Sequence, residues 1–222
     1  YFQSTLFKKY NFRHAFFTKN LQRNDPLRLQ SELNLHSQVN YLNQIHSNKI
    51  IQVNHIYNPK LIEADCLITN TKDQSLWIYT ADCIPILIAD IKTRQIAACH
   101  CGLKGIERQI ISKALRRLVE NGSEKSDLII ALGPSINGDN YQVRLNDVDD
   151  LITQLTGVNF SRQTTCIIEN EFKKLFPLLK NYDKKEYILF DIQAAAILQL
   201  KKEGITKEQV EINRFCTFSN PE

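Results

Sequence analysis

The sequence predicts a single α+β domain, with helices segregated from a mixed, mostly antiparallel sheet. Three observations carry this. Short runs rich in Ile, Trp, Tyr and Ala recur, most densely at residues 76–80, 84–89 and 95–101. Two longer segments, 105–120 and 191–203, read as strong helices, the first with Ile106, Ile110, Ile111, Ala114, Leu115 and Leu118 in one apolar stripe. No repeat or low-complexity linker divides the chain.

Taken in order, residues 12–17 alternate weakly and suggest an opening strand. Asp25-Pro26 starts a short helix reaching about Leu35. Residues 40–53 read as a strand pair around the turn Ser47-Asn48, and 65–69 as a short strand. Residues 90–94 make the hairpin turn between the second and third dense strands. Asn121-Gly122 closes the 105–120 helix, and 128–132 is a strand ending in Gly133-Pro134. Asn146 is the expected N-cap of a helix to Leu155, Gly204 closes the 191–203 helix, and 210–217 is a last strand. Tyr1-Phe2-Gln3-Ser4 reads as the end of a cleavable expression tag and is set aside, leaving 5–222 as the domain.

The 222 residues are 43% hydrophobic and 23% charged, an ordinary globular composition with enough apolar residues for a real core. The net charge of +4 is dispersed, with Lys113, Arg116 and Arg117 on one helix. A solvated face is expected, and not a nucleic-acid surface, which needs a concentrated basic stripe. The apolar run 83–89 is too short for a membrane span. Six cysteines (Cys66, Cys83, Cys99, Cys101, Cys166 and Cys216), mostly in apolar surroundings, read as reduced thiols of a cytoplasmic protein. No C-x-x-C occurs, which excludes a zinc ribbon or thioredoxin-type motif.

The chemistry gathers at Tyr79-Thr80-Ala81-Asp82-Cys83 and at His100-Cys101-Gly102-Leu103-Lys104-Gly105, with His46 upstream in Gln44-Ile45-His46-Ser47. Two His and one Cys are a plausible first shell for a catalytic zinc, leaving a fourth position for water or substrate. Strand alternation places Cys99 and Cys101 on one face and His100 on the other. Cys83 and His100 are therefore the expected pair, and Cys101 a core residue. Gly102 and Gly105 allow close backbone approach around Lys104, so an anion site at this turn is physically reasonable. His14, His36 and His55 default to structural or surface positions.

These segments, with Leu132-Gly133-Pro134-Ser135-Ile136 and Tyr141-Gln142-Val143, occur in an order that resembles the YfiH-type family. That family is also called laccase-like polyphenol oxidases and is understood as purine nucleoside phosphorylases with adenosine deaminase side activity. The resemblance runs from about Phe12 to Cys216-Thr217. It implies a layered α/β/β/α sandwich and zinc bound by His46, Cys83 and His100. It further implies a purine nucleoside and phosphate as small-molecule partners. On this reading Lys104 and backbone N–H groups near Gly102 and Gly105 hold phosphate, Asp82 orients a ligand or shuttles a proton, and Gln44 binds base or ribose.

The chain departs from the family pattern at Cys101, Leu103 and Lys104, where Ala, Trp and Arg are usual. Lysine keeps the charge but loses the bidentate fork, which implies looser oxyanion binding. The family's glycine-rich loop is shortened to Phe17-Thr18-Lys19-Asn20, and its arginine-containing tail does not appear before Glu222. Both departures imply fewer substrate or phosphate contacts.

Five histidines and no His-x-His pair cannot build a three-copper cluster within one chain. A single Cys/His site does suit Cu2+, so copper loading in vitro would mimic an oxidase. Three alternatives stay open. One is a metal-independent hydrolase with Cys83 as nucleophile and His100 or His46 as base. A close variant is a cell-wall precursor editing hydrolase, an activity also attributed to some family members. The third is a structural zinc domain with Cys101 as fourth ligand, which strand parity disfavours.

Overall fold

The computed structural model describes residues 1–19, 25–54, 62–156, 179–184 and 187–220, and the statements below concern those residues. Asn20, His55 and Cys166 lie outside them. In chain order the elements are α1 (Thr5–Lys9), α2 (Pro26–Leu29), β1 (Gln38–Asn40), β2 (Ile50–Gln52), β3 (Cys66–Thr69), β4 (Gln74–Leu76), β5 (Ile84–Asp90) and β6 (Ile96–Cys101). Then follow α3 (Leu103–Glu107), α4 (Ile110–Glu120), β7 (Leu128–Leu132), β8 (Gln142–Arg144), α5 (Asp149–Thr156), β9 (Leu179–Lys184), β10 (Tyr187–Phe190), α6 (Ile192–Lys202) and β11 (Val210–Ile212).

Six strands form the main sheet in the order β11-β7-β5-β6-β3-β2. Neighbours among its four central strands are antiparallel, and β11 and β2 join as parallel edges. An antiparallel trio, β8-β10-β9, and a parallel pair, β1-β4, complete the strands. The expected α+β layering with a mixed, mostly antiparallel sheet is therefore present.

Strand alternation sorts the core onto two faces. Ile84, Ile86 and Ile88 of β5, with Cys99 and Cys101 of β6, pack under α4 and α6. Ala89, Ile129 and Ala131 face the other way, against Phe7, Phe12 and Phe16. Full burial of each Ile or Leu side chain stabilises the fold by about 2 kcal/mol.

The predicted helix at 105–120 is two helices. Gln109, at φ 60°, breaks it, yet Ile106, Ile110, Ile111, Ala114, Leu115 and Leu118 are all fully buried. The apolar stripe continues across the break, so periodicity alone does not reveal it. The 40–53 strand pair does not form. β1 pairs with β4 and β2 with β3, because the N–H groups of residues 45–47 go to the Asp65 carboxylate and not to a hairpin ladder. Only Gln74–Leu76 of the run through residue 80 is strand; Trp77, Ile78 and Tyr79 leave the sheet to line a cavity. The last strand stops at Ile212, where the Asn213 side chain accepts the Phe215 N–H and bends the chain. Asn146 falls in a 3₁₀ turn, Leu145–Asp147, and does not cap α5.

At the N-terminal end the predicted 12–17 strand shrinks to one bridge, Phe16 with Phe2. Residues 1–4, set aside in the sequence reading, pack into the fold: Ser4 is buried and its hydroxyl accepts the Phe7 N–H as N-cap of α1. Glu211 of β11 accepts the N–H groups of Thr5 and Leu6.

Candidate metal centre and adjoining cavity

Register explains why distant residues meet. In the β5–β6 ladder Ile84 faces Cys101 and Pro85 faces His100, so Cys83 arrives beside the end of β6 and opposite Gly102. A Cβ on Gly102 would lie 2.7 Å from Cys83 Sγ and 3.4 Å from His46 Cδ2. Glycine at that position leaves the room in which sulfur and imidazole approach. Gly105 serves a different purpose, since a Cβ there would press on Ile110 of α4.

His46 comes in from the turn between β1 and β2, in the left-handed region at φ 55°. Its Nε2 is 3.9 Å from Cys83 Sγ, and its ring meets the His100 ring edge-on at 4.7 Å between centroids. One ligand atom each from His46, Cys83 and His100 lies within 4.8 Å of the others. Among the described residues this is the single grouping of three such ligands. His46 is exposed, Cys83 half-buried and His100 buried, so the group opens to solvent on one side.

Electrostatics favour a neutral imidazole at His100. Burial lowers its pKa first, the Asp65 carboxylate opposes this, and His46 lowers it further. Asp65 is pushed up by burial, but hydrogen bonds from His100 and Ser47 outweigh that and hold its carboxyl below the usual range. Burial raises the Cys83 thiol, and the charges of Asp82 and Asp65 add to the rise. Cys101 lies fully buried in the core with its pKa raised well above normal, first by burial.

The carboxylate bonded to a site imidazole is Asp65, which the sequence reading did not single out. Its Oδ1 lies 2.8 Å from His100 Nδ1. The neighbouring pair Cys66↔Cys99 sets Asp65 opposite His100, so only knowledge of the β3–β6 register would have found it. Asp82 faces elsewhere: it lines the cavity and its Oδ1 accepts the Thr217 hydroxyl at 2.7 Å. Gln44 is latched to backbone, its amide donating to the Tyr79 carbonyl and accepting the Tyr79 N–H, both at 2.7 Å. Lys104 is exposed in the first turn of α3. Tyr141 is raised by burial and then by the charges of Cys83 and Asp82, which sets its phenol in the field of the site.

The cavity beside Asp82 has a volume of about 840 Å³. Phe17, Trp77, Tyr79 and Phe215 give it aromatic walls, and Lys19 and Asp82 supply charge. Phe17 and Trp77 stack at 5.6 Å with an interplanar angle of 12°. A planar aromatic ligand fits such walls.

The fold and the three-ligand site define an α+β protein with a potential metal centre at one end of its central sheet. The chain belongs to the family described as multi-copper polyphenol oxidoreductase laccase, whose model matches residues 18–222. A Synechocystis sp. protein named purine nucleoside phosphorylase is 29% identical over 221 residues, covering 94% of this chain and 81% of the relative. An Aquifex aeolicus protein of the same name is 30% identical, covering 81% of this chain and 71% of the relative. Of a Mycobacterium tuberculosis relative with that name, 29% identical, the chain spans 65%. The Neisseria meningitidis protein NMB0706 superposes with a TM-score of 0.67 at 24% identity, over 86% of this chain and 68% of that one. Geobacillus stearothermophilus YlmD gives 0.67 at 22% identity, with the same two coverages. Both structures share the fold. Among the described residues no helix is long and apolar enough to cross a membrane.

Proposed function

We propose that the protein is a zinc-dependent purine nucleoside phosphorylase, converting adenosine, inosine or guanosine plus phosphate to free base and ribose-1-phosphate, with adenosine deaminase side activity. The convergence of His46, Cys83 and His100 within 4.8 Å carries the reading, with an aromatic cavity whose wall includes Asp82, the residue before Cys83, although none of the three lines it. The donor set suits zinc, which thiolate and imidazole ligands hold in three-ligand sites with a fourth position open. When bound there, zinc supplies Lewis acidity and lowers the pKa of a water toward ~7.

The chain's own residues do the rest. Phe17 and Trp77, stacked on each other in the cavity wall, offer the purine an aromatic face, and the Asp82–Thr217 pair, beside Cys83 in sequence, offers polar groups to the ribose hydroxyls. Lys19 in the cavity wall and Lys104 on α3 supply positive charge for phosphate. Gln44 holds the Tyr79 wall in place rather than touching substrate. Copper competes for the same ligands in vitro, because such sites bind it more tightly than zinc.

A second reading, a cysteine hydrolase, has the Cys83–His46 contact in its favour. Its thiol, however, is raised by burial, the reverse of an activated nucleophile. Incubating the zinc-loaded protein with inosine or adenosine and phosphate separates the two. Free base with ribose-1-phosphate supports the phosphorylase; no product at high enzyme concentration rejects it.

A further inference from the structure

We infer that Asp65 is the positioning residue of the metal centre, fixing both histidine arms with one buried carboxylate; this rests on reading His46, Cys83 and His100 as metal ligands. Its Oδ1 is shared between His100 Nδ1 at 2.8 Å and the His46 backbone N–H at 3.0 Å. Its Oδ2 accepts the Ser47 N–H at 2.6 Å, the Ser47 hydroxyl at 2.7 Å and the Ile45 N–H at 3.3 Å. Its backbone carbonyl accepts the His100 N–H at 2.7 Å. The residue is 0% exposed, so water does not compete for these bonds.

Two consequences follow from the donor and acceptor chemistry. An ionised carboxylate only accepts, so His100 Nδ1 must carry the proton. That leaves the lone pair of Nε2 as the ring's free ligand and fixes the plane in which it points. The same carboxylate gathers three successive N–H groups of residues 45–47. In doing so it holds His46 at φ 55°, a conformation that a non-glycine residue otherwise disfavours.

A carboxylate serving the loop alone would need only the backbone bonds. Asp65 also takes the His100 ring, and it reaches the two ligands from the bend just before β3, a segment that carries neither of them. Asp82 is not a substitute, because its carboxylate is bonded to Thr217 on the cavity side. Through one side chain the geometry of His46 becomes coupled to that of His100.

Two measurements test this. Long-range 1H–15N NMR of the imidazoles in chelator-treated wild-type protein should show His100 as the Nδ1–H tautomer; an Nε2–H tautomer overturns the assignment. Zinc affinity of folded Asp65→Asn, read by competition with a chromophoric chelator, should fall about 10- to 100-fold against wild type. Wild-type protein that takes up no zinc rejects the metal reading itself. Wild-type protein that binds zinc, matched by Asp65→Asn, rejects the role of Asp65 alone.

Discussion

Gly102 and Cys83 face each other across the end of the β5–β6 ladder, so closely that a single methyl group on Gly102 would stand 2.7 Å from the sulfur. Gly102 has φ −86°, which any residue adopts, so glycine is required there by space and not by backbone conformation. Gly102→Ala should therefore leave the fold intact and displace the thiol. Zinc affinity should drop by about tenfold or more, with thermal stability of the metal-free protein nearly unchanged. Equal affinity in the variant would show that zinc binding does not need the space Gly102 leaves beside the thiol.

The aromatic cavity predicts a split between binding and chemistry. Trp77 stacks on Phe17 and touches none of the three metal-centre residues through an observed bond. Trp77→Ala should raise KM for the nucleoside about tenfold, the scale of one lost base–aromatic stack. The turnover number should change less. An unchanged KM would place the base outside this cavity.

His14 makes the fold sensitive to acid. Its Nδ1 donates to the Phe12 carbonyl at 2.8 Å, so its Nε2 accepts the Ser4 N–H at 2.7 Å, and Ser4 caps α1. A second proton would set two N–H groups against each other. Burial lowers the pKa of His14, the Phe12 carbonyl and Glu211 oppose this, and Lys8 adds to the lowering. The unfolded chain then binds more protons than the folded one below the ordinary value of about 6.5, so stability rises with pH through that window and is lost as pH falls. Melting temperature followed from pH 7 down to pH 5 should fall more steeply for wild type than for His14→Gln. Parallel curves would remove His14 from the account.

Thiol reactivity should separate the cysteines. Cys66, Cys99, Cys101 and Cys216 are at most 1% exposed, whereas Cys83 is half-buried at the opening of the site. Peptide-resolved alkylation of native metal-free protein should label Cys83 before Cys66, Cys99 and Cys101; Cys216 stands apart, because burial raises its thiol but hydrogen bonds led by Ser219 bring it down to about 7. The reaction should be slow at neutral pH, because burial raises the thiol. Zinc should suppress it. Preferential labelling of Cys99 or Cys101 would contradict the face assignment of β6.

Much of this arrangement was legible from residues. The alternation in 95–101 correctly sent Cys99 and Cys101 to the core and His100 away from it, because the run is a true strand with period two. His46, Cys83 and His100 were named together and lie together. What stayed hidden depended on pairing between distant segments. Asp65 becomes visible only once β3 is set against β6, and the Asp82–Thr217 bond spans 135 residues of chain. Local reading also mistook Trp77 to Tyr79 for strand, since aromatic residues suit a half-buried cavity wall as well as a pleated sheet. Tyr1-Phe2-Gln3-Ser4 resembles the end of a tag, and local sequence alone does not show that Ser4 caps α1.

The central claim is that His46, Cys83 and His100 form a metal centre, and elemental analysis tests it most directly. Purified wild-type protein exposed to zinc and then desalted should retain about one zinc per chain, as expected for a three-ligand protein site. Cys83→Ala, folded by circular dichroism, should retain almost none. Wild-type protein that keeps no metal, or Cys83→Ala that keeps as much as wild type, would contradict the account.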